Sequence, residues 1–88
     1  MSHEPHEASH TLDRLIYMAN QIGGFFAIQG HDAEVAGVAD HIRKFWNSRM
    51  QKQIFAHIAN GGEGLKPNVK EALQVLEKQE QAAAAQQQ

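Results

Sequence analysis

The sequence predicts an all-α fold, a small antiparallel bundle of three to four helices with disordered termini. Three observations point there. Apolar residues recur at three- and four-residue steps through most of residues 12–76. Glycine, proline and asparagine/serine punctuation cuts that pattern into helix-length pieces. No run of alternating β-branched residues competes with it, and no internal repeat is present. The expected divisions are a tail over residues 1–10, a helical domain over 11–78 and an Ala/Gln-rich tail over 79–88.

Residues 1–10 lack an apolar period and include Pro5, which suits a mobile tail. From Thr11 the face Leu12, Leu15, Ile16, Ala19, Ile22 and Phe26 defines a long first helix, with Ser9 or Thr11 available as N-cap. Gly23 and Gly24 fall in its middle, where each costs about 1 kcal/mol against alanine, so close approach of another helix is expected there. Gly30 suits the end of that helix, and Asp32 can cap a second helix whose inward face is Val35, Val38, Ala39, Ile42, Phe45 and Trp46. The short connection favours a helical hairpin.

Asn47 or Ser48 offers the next N-cap, and Met50, Ile54, Phe55 and Ile58 define a third helix that stops at Gly61-Gly62. A fourth helix starts at Pro67, or through an Asn68/Glu71 capping box, and carries Val69, Ala72, Leu73 and Leu76. Beyond Lys78 the sequence keeps helix propensity but has no face to bury.

Composition removes several functional classes. With 88 residues and no cysteine there is room for one small domain, without a disulfide framework, a thiolate metal site or a cysteine nucleophile. A core of this size leaves a thin margin of stability, which favours a subunit or an oligomer over a free-standing catalyst. A net charge of −2 lacks the basic footprint of a nucleic-acid binder. The stretch from Ile22 to Ile28 is too short to cross a bilayer, and the amino terminus has acidic residues and histidines where a signal peptide carries lysine or arginine. A cytoplasmic location follows as the expectation.

No catalytic set emerges from spacing. His6-Glu7-Ala8-Ser9-His10 matches the H-E-x-x-H zinc pattern only formally, since it lies in a tail without a third ligand or a cleft. A small metalloenzyme using those histidines is the alternative that removing residues 1–10 tests. His31, His41 and His57 read as surface or edge-of-core residues, and Ser48 reads as a helix cap. Gly61-Gly62-Glu63-Gly64 lacks the Lys-Ser/Thr of a P-loop and reads as a link between helices.

The informative residues are instead at the two turns that bracket the third helix. Phe45 beside Trp46, like Phe25 beside Phe26, must diverge by about 100°, so one of each pair approaches the surface. Arg49 lies in a helix first turn, against the dipole preference, and a partner carboxylate or carbonyl would account for it. An exposed aromatic next to Arg49 and Met50 has the composition of a protein-binding hot spot.

Three segments carry a family likeness: Met18-Ala19-Asn20-Gln21-Ile22 with Phe25-Phe26; Val35 to Trp46 running into Arg49-Met50; and Gly61-Gly62-Glu63-Gly64-Leu65 with Pro67. Together they resemble the delta subunit of soluble NAD-dependent formate dehydrogenases, over roughly residues 12–76. That family often has proline where this chain has Ser48, and both residues suit a helix start. The resemblance implies a non-catalytic accessory subunit of a cytoplasmic enzyme, which binds no cofactor of its own. Its large catalytic subunit would hold a molybdenum bis-pterin and iron–sulfur clusters, and further partners would pass electrons through FMN to NAD. It also implies that the chain contacts the catalytic subunit and helps it assemble or retain its cofactor. Phe45, Trp46, Arg49, Met50, Gly61, Gly62, Glu63 and Gly64 are the expected partner-binding residues. A self-associating helical regulator, dimeric when isolated, is the alternative from another class.

Overall fold

Four α-helices and one 3-10 turn form the chain in the order α1 (Glu4–Phe26), the 3-10 turn (Ala27–Gln29), α2 (His31–Phe45), α3 (Ser48–Ala59) and α4 (Pro67–Gln86). The computed structural model describes the backbone of residues 4–86 and the side chains of residues 11–86, and no strand occurs among them. The fold is all-α, as the spacing predicts.

Helical backbone extends ahead of the expected start at Thr11, with Pro5 in the first turn, where its missing N–H has no intrahelical acceptor to lose. The expected tail over residues 1–10, and the His6–His10 pattern within it, lie outside the residues whose side chains are described. At the other end α4 continues through residues 79–86, all exposed, consistent with the helix propensity of alanine and glutamine.

α2 does not use the expected Asp32 cap. Its N-cap is Gly30, at φ 94°, whose carbonyl accepts from the Glu34 N–H at 2.8 Å. Asp32 and Glu34 lie in the first turn and Arg43 and Lys44 in the last, each end carrying the charge that the helix dipole favours. α3 is capped by Asn47, whose side-chain oxygen accepts from the Met50 N–H at 2.9 Å. α4 begins at Pro67, and the Asn68 side chain makes tertiary contacts instead of a capping box.

α1 and α3 run one way, α2 and α4 the other. Gly23 near the end of α1 meets Val69 at the start of α4, and His31 at the start of α2 meets Glu71. The hollow between α3 and α4 sets Ser48 beside the Ala84 region and Phe55 beside Glu77. The core joins Leu15 and Ala19 of α1, Val35, Val38, Ala39 and Ile42 of α2, Ile54 of α3, and Val69, Ala72, Leu73 and Leu76 of α4. Trp46 and Leu65, from the two connections, complete it. No helix among the described residues is long and apolar enough to cross a membrane.

Candidate partner-binding site

The junction between α2 and α3 separates its two aromatics. Trp46 leaves the helix in an extended conformation at φ −95° and ψ 133°, and its ring enters the core, 5% exposed. Phe45 is 70% exposed and lies against His41, ring centroids 4.7 Å apart. Phe45 therefore leaves the inward face expected of it. One turn from the end of a helix the chain must choose which of two adjacent rings to bury, and the larger one takes the interior.

Gln51 holds this junction from within. Its side-chain amide donates to the Trp46 carbonyl at 2.7 Å and, at 3.5 Å, to the Ile42 carbonyl, both left over at the end of α2. Met50 packs partly buried against the core, whereas Arg49 is exposed. Of the four residues expected at this turn, Phe45 and Arg49 face solvent while Trp46 and Met50 support them.

At the far end of α3, Gly61, Gly62 and Gly64 adopt positive φ of 112°, 66° and 89°, a region that side chains with a Cβ rarely enter. The turn is pinned from three sides. The Gly62 N–H donates to the His57 carbonyl at 2.9 Å, and His57 Nε2 donates to the Glu63 carbonyl at 2.7 Å. From α1, the Asn20 amide donates to the Gly64 carbonyl at 2.9 Å and its oxygen accepts from the Lys66 N–H at 2.9 Å. Gly62 is buried, and Glu63 stays exposed at the tip.

The two turns do not meet. α3 has 12 residues, which sets them roughly 18 Å apart along its axis, so they form two patches at opposite ends of one helix. The Asn20, His57 and Gln51 contacts have no counterpart in the periodicity, which reports faces rather than side-chain reach. Asn20 was accessible only through its place in the Met18–Ile22 segment.

A third feature lies between α2 and α4. A shallow groove of about 670 Å³ is floored by Val35, Ala39 and Val75 and edged by His31, Glu71 and Arg43. His31 donates from both ring nitrogens, Nδ1 to Asp32 at 3.1 Å and Nε2 to Glu71 at 2.7 Å, a pattern only the imidazolium can complete. The Glu71 carboxylate, then that of Asp32, raises its pKa above the ordinary histidine value. Arg43, followed by Lys44, holds the Asp40 carboxyl below the usual range. These pairs are exposed and tie neighbouring turns together.

Among the described residues no three His, Asp or Glu side chains converge as a metal site. With no cysteine, the chain has no thiolate for an iron–sulfur cluster. The donor set fits surface recognition better than cofactor binding.

Comparison with known proteins follows the same direction. The family model described as NADH-dependant formate dehydrogenase delta subunit FdsD matches residues 14–73. The match takes in both turns and the Asn20 clamp. No curated protein and no solved structure matches the chain.

Proposed function

The chain belongs to the delta-subunit family of NADH-dependent formate dehydrogenases, and from that premise we propose that it is a non-catalytic accessory subunit binding the large, molybdenum-bearing catalytic subunit in the cytoplasm. It supports assembly of that subunit or retention of its cofactor. The molybdenum bis-pterin, iron–sulfur clusters, FMN and NAD belong to its partners. Phe45 and Arg49, supported by Trp46 and Met50, make one contact, and the turn from Gly61 through Gly62 and Glu63 to Gly64 makes the other.

One observation carries this reading beyond the family match. The glycine turn is fixed by Asn20 and His57 while Glu63 at its tip remains exposed. A loop already held in shape gives up little entropy on binding, which is the arrangement a recognition loop needs. An internal link would have no use for an exposed tip so firmly held.

The test is purification of the full chain through a carboxyl-terminal tag from its native cytoplasm, with mass spectrometry and a formate-dependent NAD reduction assay. Co-purification of the catalytic subunit with activity is the expected result. Recovery of the dehydrogenase without activity assigns the chain to the assembly stage. Recovery of the chain alone, as a dimer, overturns the reading.

A further inference from the structure

Internal packing accounts for only one of the two adjacent glycines of α1. A Cβ on Gly23 would lie 2.4 Å from a Val69 methyl, whereas a Cβ on Gly24 would meet nothing nearer than Lys66 Nζ at 4.0 Å. A glycine inside a helix weakens it relative to alanine, so Gly24 is a cost that the isolated fold does not need.

Its surroundings point outward. Three of the four large apolar side chains that are most exposed lie on the same helix face or just beyond it: Tyr17 at 62%, Phe25 at 73% and Ile28 at 92%. Four-residue steps align Tyr17, Gln21 and Phe25, and the Gln21 amide donates to the Tyr17 hydroxyl at 3.2 Å. Gly24, two turns on from Tyr17, falls within about 20° of it around the axis. The glycine is thus a notch in an exposed apolar stripe.

This stripe is ordered before anything covers it. Phe25 stands edge-on against Phe26, centroids 5.0 Å apart at 89°, and the ring of Phe26 in turn covers Gly37 of α2. The stripe is also continuous with the glycine turn, because Asn20 binds Gly64 and Lys66 and the Lys66 ammonium lies over Gly24. Among the described residues Lys66 makes no ion pair.

We propose that the α1 face of Tyr17, Gln21, Gly24, Phe25 and Ile28 docks an apolar helix of the catalytic subunit, with Gly24 as the point of closest approach and a carboxylate of that helix opposite Lys66. The inference rests on the accessory-subunit reading and adds a surface to it. A ridge of one helix fits where a small residue opens a groove between large ones. Area argues against a second copy as the occupant. Tyr17, Phe25 and Ile28 expose on the order of 400 Å² together, about half of the roughly 800 Å² per partner in a stable interface. A partner that spans both stripe and turn reaches that size.

The experiment measures affinity of the full chain for the purified catalytic subunit, in wild type, Gly24→Leu, Lys66→Glu and the double variant Tyr17→Ala/Phe25→Ala. Circular dichroism melting of each chain alone shows that it is folded. The expected result is binding weaker by about tenfold or more in Gly24→Leu and in the double variant, with melting no lower than wild type for Gly24→Leu. Lys66→Glu should lose affinity most at low salt. Wild-type affinity in all three, with the wild-type chain binding, overturns this inference and leaves the accessory-subunit reading standing. Failure of the wild-type chain to bind overturns both. A wild-type dimer in sedimentation that the stripe variants convert to monomer makes a second copy the occupant and overturns the proposal.

Discussion

Asn20 of α1 grips the turn before α4 across 44 residues of sequence, donating to the Gly64 carbonyl and accepting from the Lys66 N–H, both at 2.9 Å. One side chain thereby satisfies two backbone groups that the glycine turn leaves without secondary-structure partners. Asn20→Ala should destabilise the fold by about 1–2 kcal/mol, the sum of two net hydrogen bonds. Asn20→Asp should recover only part of this, since it keeps the acceptor for Lys66 but sets a carboxylate against the Gly64 carbonyl. Urea unfolding of the three proteins tests the order; equal midpoints for wild type and Asn20→Ala would refute the clamp.

Gly23 and Gly24 should respond oppositely to the same substitution. A Cβ at Gly23 collides with the fully buried Val69, so Gly23→Ala should cost about 1–3 kcal/mol through overpacking. At Gly24 the space is open, and Gly24→Ala should stabilise by up to about 1 kcal/mol through helix propensity. Adding Val69→Ala to Gly23→Ala should cost less than the two changes separately, because the second makes room for the first. Thermal melts of the four variants give the comparison, and an additive pair would mean that the two residues do not meet.

These contrasts mark what was legible in the sequence. Burial of Val69, Ala72, Leu73 and Leu76, and of Val35, Val38, Ala39 and Ile42, follows from the helical period alone, because each helix rests one face on the others. Asn47 as N-cap, Pro67 as first residue of α4 and the glycines as the stop after α3 are chemical signals read one residue at a time. The period ceases to apply at Trp46, where the backbone turns extended and carries into the core a ring that shares the junction with exposed Phe45. Asn20, His57 and Gln51 were less accessible still. Each acts by the reach of a polar side chain to a distant carbonyl, and neither hydropathy nor spacing encodes that reach.

Phe45 and Trp46 predict two different kinds of loss. Trp46→Ala empties a core position and should cost about 3–5 kcal/mol, a large share of the stability of any domain this small. Phe45→Ala removes an exposed ring and its contact with His41, and should change stability by less than about 1 kcal/mol. Only the second substitution can therefore test the partner surface without unfolding it. Far-ultraviolet circular dichroism under urea separates the two, and a Phe45→Ala midpoint as low as that of Trp46→Ala would refute the inside–outside assignment.

His31 predicts a dependence on pH with a definite sign. The Glu71 carboxylate, and after it Asp32, raises the folded-state pKa above the value of 6.5 expected for a free histidine. A group whose pKa is higher folded than unfolded binds its proton more tightly in the native state. Its contribution is complete below about pH 6.5 and disappears as the pH rises through the raised folded value. His31→Gln and Glu71→Gln each remove the effect, the first by deleting the titrating ring and the second by deleting the leading cause. The difference in melting temperature between wild type and His31→Gln should therefore be largest near about pH 5.5 and should shrink toward about pH 8.5. Because the pair is exposed, added salt should reduce the difference at the acid end. A difference that grows with pH would refute the assignment of the proton to the native clamp between α2 and α4.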